Sequence, residues 1–206
     1  MTRGKTDLFL DRLQTALAAE LPGAWERRPA PEHTLRLRYD WGYGSVGPSM
    51  TYKHLPACRV FLSYGVHHTS LSPLMQKVSA ARGEPFVDFC HAYHDTQNRP
   101  LAAGERWSSV DDYLAADPGL IVQSLLGSGA PELLALFERM ADLRELRAAL
   151  DGGDNTFFAL GSEKVVVAIN FLLSDRDHLR QYRASRKPIP GQRLVDDAMR
   201  ALGMEP

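Results

Sequence analysis

Leu10, Leu13, Leu17 and Leu21 recur at the three- and four-residue spacing of one helix face, and they predict a first helix from Thr6, which can cap it, to about Leu21. Pro22-Gly23 ends it. His33 to Tyr39 then alternates, with Leu35, Leu37 and Tyr39 on one side and Arg36 and Arg38 on the other, as a half-buried strand does. Trp41-Gly42-Tyr43-Gly44-Ser45 reads as a turn, and the stretch to Pro56, marked by Gly and Pro, as a long loop. Two further strands are expected at Cys58–Val66 and Phe86–Tyr93. Between them lies a short helix opened by Ser72-Pro73 and closed by Gly83.

Downstream the pattern turns helical. Val110, Tyr113 and Leu114 belong to a short helix capped by Ser108 or Ser109. Pro118-Gly119 breaks it, and Leu120–Leu126 restarts one. From Pro131 a single helix is expected to run to Leu150, burying Leu133, Leu136, Phe137, Met140, Leu143 and Leu146. Thr156–Leu160 and Lys164–Leu173 read as a hairpin. The second run is apolar at both parities, as a strand covered on both faces would be, and three consecutive valines disfavour the competing helix. Helices over Asp175–Ser185 and Gln192–Leu202 flank the break Pro188-Ile189-Pro190-Gly191. The expected class is α+β: one domain over 1–206 with an antiparallel or mixed sheet of about four to five strands. Helices cover mainly one face, and 175–206 is a possible helical C-terminal appendage.

Composition adds bounds. The chain has 206 residues, 44% hydrophobic and 24% charged, which is ordinary for a soluble globular protein able to fold without metal or disulfide. Net charge is −1, which disfavours a dedicated nucleic-acid or membrane binder, but the charge is segregated. Residues 1–83 carry +5, 84–119 carry −5, 120–162 carry −3 and 163–206 carry +2. Such asymmetry can steer a charged partner. Cys58 and Cys90 form no disulfide framework, the first residues lack a secretory apolar core, and the longest apolar run is far too short to span a bilayer. A reducing cytoplasm is the expected location.

The chemistry-bearing residues gather in Cys58–Asp95, which holds both cysteines and four of the seven histidines. His67, His68, Cys90, His94 and Asp95 lie near the ends of the expected strands. They are the candidates for a zinc-type metal site (His67, His68, Cys90 and His94) or for cysteine-dependent hydrolysis, with Cys90 as nucleophile and a histidine as base. No C-x-x-C, H-E-x-x-H, G-x-S-x-G, P-loop or dinucleotide fingerprint supports a specific enzyme class, and no cofactor is expected.

Two other patterns point to a binding surface. Arg176, Arg180, Arg183 and Lys187 repeat at i, i+4, i+7 and i+11, one face of a helix, suited to carboxylates or phosphates. Trp41, Tyr43, Tyr52 and Trp107 fall in expected loops, where aromatic residues commonly anchor partners. The leading expectation is a non-catalytic adaptor or inhibitor-like protein. It meets an acidic surface of another bacterial-type protein through Arg176, Arg180, Arg183, Lys187, Trp41 and Tyr43. A metal-assisted or cysteine-dependent hydrolase is the alternative.

Overall fold

A computed structural model describes residues 3–54, 57–86, 92–95, 110–127, 130–151, 158–159 and 162–206. The fold is α+β. The chain divides into two compact units, 1–65 with 94–137, and 66–93 with 138–206.

In the first unit, helix α1 (Arg3–Glu20) buries Phe9, Leu13 and Leu17 against strands β2 (Thr34–Tyr39) and β3 (Gly42–His54) and against helix α4 (Pro118–Leu126), which follows the short helix α3 (Val110–Ala115). Strand β1 (Glu26–Arg28) pairs antiparallel with β2, and β2 pairs antiparallel with β3, with Leu35 opposite Val46 in the core. Strand β4 (Ala57–His68) follows β3 in the sheet. Gln14, wholly buried on α1, is satisfied by the strands. Its Nε2 donates to the Arg28 carbonyl at 2.9 Å and the Thr34 carbonyl at 2.6 Å, while its Oε1 accepts from Arg27 at 3.1 Å. His33, at φ +48°, sits between Asp11 at 3.1 Å and Asp7 at 3.4 Å, tying the entry of β2 to α1.

The expected loop over 42–56 is instead mostly β3, and its glycines explain the misreading. A Cβ on Gly44 would lie 2.5 Å from the Phe137 ring, and one on Gly47 would lie 2.6 Å from the His33 carbonyl oxygen. These glycines admit close packing on a strand and mark no turn. Pro48 falls past the register of β3 with β2, which ends at Leu35 opposite Val46. Only Asp40-Trp41 turn the chain, between Tyr39 and Gly42. Tyr43 is therefore buried under the Arg36 guanidinium, 4.5 Å from its ring centre, and is not an exposed loop aromatic. Trp41 is half-buried and stacks on Tyr39 at 5.1 Å. The side chain of Tyr52, and Trp107, lie outside the described residues.

In the second unit, Lys164–Leu173 is not a strand. Helix α7 (Ser162–Leu173) runs through it, and Val165 to Asn170 are all buried. A helix enclosed on every side shows the same two-parity apolar run as a covered strand. The enclosing elements are α2 (Ser72–Ala81), α6 (Leu143–Asp151), α8 (Arg176–Ser185) and α9 (Arg193–Ala201). Packing on all four outweighs the modest helix cost of valine. Of the expected partner strand Thr156–Leu160 the described residues are Phe158–Ala159, which form β6, antiparallel to β5 (Ala92–Asp95). Residues 87–91 of the strand expected over Phe86–Tyr93 lie outside the described residues. Helices α8 and α9 are not an appendage, because Leu179, Tyr182, Val195, Met199 and Leu202 share one core with Val78, Val166 and Val167.

The helix expected over 131–150 is two, α5 (Ala130–Arg139) and α6. Asp142 makes the break: its carboxylate accepts from the Arg144 amide at 2.8 Å, and its carbonyl accepts from Leu146 at 3.0 Å. Asp142 followed by Glu145 at the third helical position is a readable helix start.

Candidate functional site

The histidine pair ends β4 in the second unit, and both side chains are buried. The Ala141 carbonyl, 3.1 Å away, accepts from His68 Nε2, which fixes the proton on that nitrogen; Nδ1 then accepts from the Ser70 hydroxyl at 2.9 Å. Burial holds His68 below the ordinary histidine range, opposed by the Ala141 hydrogen bond and aided by neighbouring His67. His68 is thus a neutral group knitting β4 to the α5–α6 turn. His67 faces Ser72, with Nε2 and Oγ 3.0 Å apart at the start of α2. A serine was not among the expected partners of this histidine. Cys90 lies outside the described residues, as do the side chains of His94 and Asp95, so the expected His/Cys/Asp constellation falls partly outside the described residues. Among the described residues, no group of three or more His, Cys, Asp or Glu could hold a metal ion.

The arginine stripe lies in the same unit. Asp175 caps α8, its carboxylate accepting from the His178 amide at 3.0 Å and from Arg147 Nη1 at 2.8 Å. The same Nη1 reaches Asn170 Oδ1 at 2.7 Å, and the buried Asn170 amide donates back to the Val166 carbonyl at 2.8 Å. This network fixes the angle at which α8 leaves α7. The helix ends at Ser185, and Lys187 precedes a π turn over Pro188–Gln192 with extended backbone, so it leaves the expected face. Two of the three remaining arginines have carboxylate partners. Arg180 pairs with Asp177 at 2.8 Å, both exposed, and Arg183 grips Asp196 of α9 through two hydrogen bonds at 2.5 and 3.0 Å. The expected stripe is therefore partly neutralised from within the fold, by a carboxylate at i−3 and by one on a neighbouring helix. Arg176 has no ion-pair partner among the described residues.

Arg176 stands where two cavities adjoin. The larger, about 470 Å³, is walled by Phe171, Leu172, Leu179 and Met204, with Asp175 at its polar end. The smaller, about 290 Å³, continues past Arg180 and Arg183 to Glu205. Phe171 and Leu172 are 38% and 37% exposed at the end of a helix whose preceding six residues are buried. The sequence showed Phe171 and Leu172 only as the tail of an apolar run; nothing marked them as turned outward. No known protein family, curated protein or solved structure matches this chain.

Three ion pairs of the second unit carry a pH dependence. Asp175 is held below the ordinary carboxylate range by the His178 amide and Arg147, Asp196 by Arg183, and Glu84 by its hydrogen bond with Lys164. Depressed folded-state values stabilise the fold fully above the unfolded value of about 4 and lose that contribution as pH falls through them. The denaturation midpoint should therefore hold between pH 7 and 5 and drop below about pH 4. Asp196→Asn should flatten that drop, and an equally steep fall in the variant would count against the pair.

Proposed function

We propose that this protein is a non-catalytic docking protein, an adaptor or inhibitor-like partner, and that the groove between α7, α8 and residues 203–206 receives another protein. The observation that carries this reading is the pair Phe171 and Leu172, exposed at the rim of a groove of about 470 Å³ beside Arg176, which has no ion-pair partner among the described residues. Apolar side chains beside a cation with no internal partner are costly to leave in water and useful at an interface. Volume in this range also fits a bound side chain or short segment.

The test is co-purification from native lysate. Phe171→Asp with Leu172→Asp replaces half-exposed groups, so stability should change by no more than about 1 kcal/mol, while a stoichiometric partner held by the natural chain should be lost. A partner retained by the double variant contradicts the reading.

A second reading rests on the 3.0 Å contact between Ser72 Oγ and His67 Nε2. In the tautomer that leaves Nε2 as acceptor, Ser72 donates to it, which is how a serine nucleophile is activated for acyl transfer. That reading keeps the hydrolase alternative but moves the nucleophile from Cys90 to Ser72. The same preparation decides it. A fluorophosphonate probe should label Ser72, and lose the label in Ser72→Ala, only if the pair is catalytic. No labelling returns the contact to structure.

A further inference from the structure

We propose that the groove selects a partner segment bearing one carboxylate beside a large apolar side chain, the carboxylate on Arg176 and the apolar group against Phe171, Leu172 and Met204. This deepens the docking reading and rests on it. Its ground is an account of every charge around the groove. Arg183 is spent on Asp196, Arg180 on Asp177, and Arg147 on Asp175 and Asn170. Arg186 lies over the Tyr182 ring at 4.2 Å, and Lys187 follows the end of α8. One guanidinium, Arg176, is left at the junction of the two cavities, and an arginine fork takes one carboxylate in a bidentate grip.

The opposite charge sets the limit. Glu205 lines the smaller cavity and has no cationic partner among the described residues. A second carboxylate extending that way would meet it, and so would the next phosphate of a nucleic acid. Asp175 borders the larger cavity, but its oxygens already accept from the His178 amide and Arg147. Among the described residues a polyanion therefore finds one cation without an ion-pair partner, Arg180 and Arg183 already paired with carboxylates, and one repelling anion, whereas a lone carboxylate finds a cation flanked by apolar walls. Six-tenths of Phe171 and Leu172 is already covered, so an incoming apolar group completes a partly formed site.

Fluorescein-labelled octapeptides with a Gly/Ser frame test this by anisotropy on the full chain. The central pairs are Asp-Phe, Asn-Phe, Lys-Phe, Asp-Ser and Asp-Asp-Phe, and a single-stranded oligonucleotide serves as the polyanion. Asp-Phe should bind about tenfold or more tighter than Asn-Phe, the others more weakly still, and Arg176→Gln should erase the difference between Asp-Phe and Asn-Phe without weakening Asn-Phe. Equal binding of Asp-Phe and Asn-Phe, an advantage that survives Arg176→Gln, or tighter binding of Asp-Asp-Phe or the oligonucleotide overturns the proposal. So does no binding of any peptide. In each of those cases partner loss by the Phe171/Leu172 variant still stands or falls separately, which distinguishes a wrong ligand chemistry from a wrong docking face.

Discussion

Phe137→Ala is expected to destabilise the first unit by about 3–5 kcal/mol, as deletion of a fully buried aromatic ring does. Phe137 has no exposed surface, its ring fills the space over Gly44, and Trp25 tilts against it at 6.5 Å. The neighbouring Leu136 is only half-buried, so Leu136→Ala should cost clearly less. Gly44 gives the reciprocal test. Because a Cβ there would reach within 2.5 Å of the ring, Gly44→Ala should cost about 1–3 kcal/mol in the natural chain. Part of that loss should be recovered when Phe137 is shortened to Leu. Chemical denaturation measures all four. A loss below about 1 kcal/mol for Phe137→Ala would mean that this ring is not core.

The second large effect is expected at Ala168→Pro. Ala168 is buried in the middle of α7, where proline removes one helical hydrogen bond and collides with the carbonyl four residues back, at a cost of about 3 kcal/mol or more. The damage should be that of a unit, since α7 touches α2, α6, α8 and α9, and lost near-ultraviolet dichroism with retained helical signal in other segments would report it. Ala168→Val is the control. It suits a strand better than a helix, but inside this close-packed helix it should destabilise by overpacking. A chain made more stable by Ala168→Val and indifferent to proline there would contradict the helix.

These two positions also show what the sequence could and could not tell. Short elements with local punctuation were legible. Ser72-Pro73 and Gly83 bound α2, and alternation found β2; the helix read from Leu120 begins at Pro118 instead, where Asp117 caps it. What failed was inference about surroundings. The run Val165–Leu173 has the same apolar profile whether sheets or helices enclose it, and only the four enclosing helices decide. Gly44 and Gly47 look like turn residues until Phe137 and the His33 carbonyl are seen to need their missing side chains. The Asp142 start of α6 was readable and was hidden by the unbroken leucine spacing across it.

The candidate site divides in the same way. Helical spacing aligned Arg176, Arg180 and Arg183, but Asp196 comes from another helix, so the pairing that engages Arg183 was invisible. His67 and His68 were singled out as chemistry-bearing, and each has a hydrogen-bond partner. Their partners, Ser72, Ser70 and the Ala141 carbonyl, follow from a tight turn and from a contact 73 residues away.

If a partner protein seats on the groove of the second unit, site-specific photocrosslinking from the groove should capture it. A benzophenone amino acid is placed at position 172, and for comparison at position 8, where Leu8 is 64% exposed on α1. On irradiation in native lysate, position 172 should yield one adduct of discrete mass that disappears when Phe171→Asp is added, and position 8 should yield none. An adduct at position 8 with none at 172, or one at 172 that Phe171→Asp leaves untouched, would contradict the account.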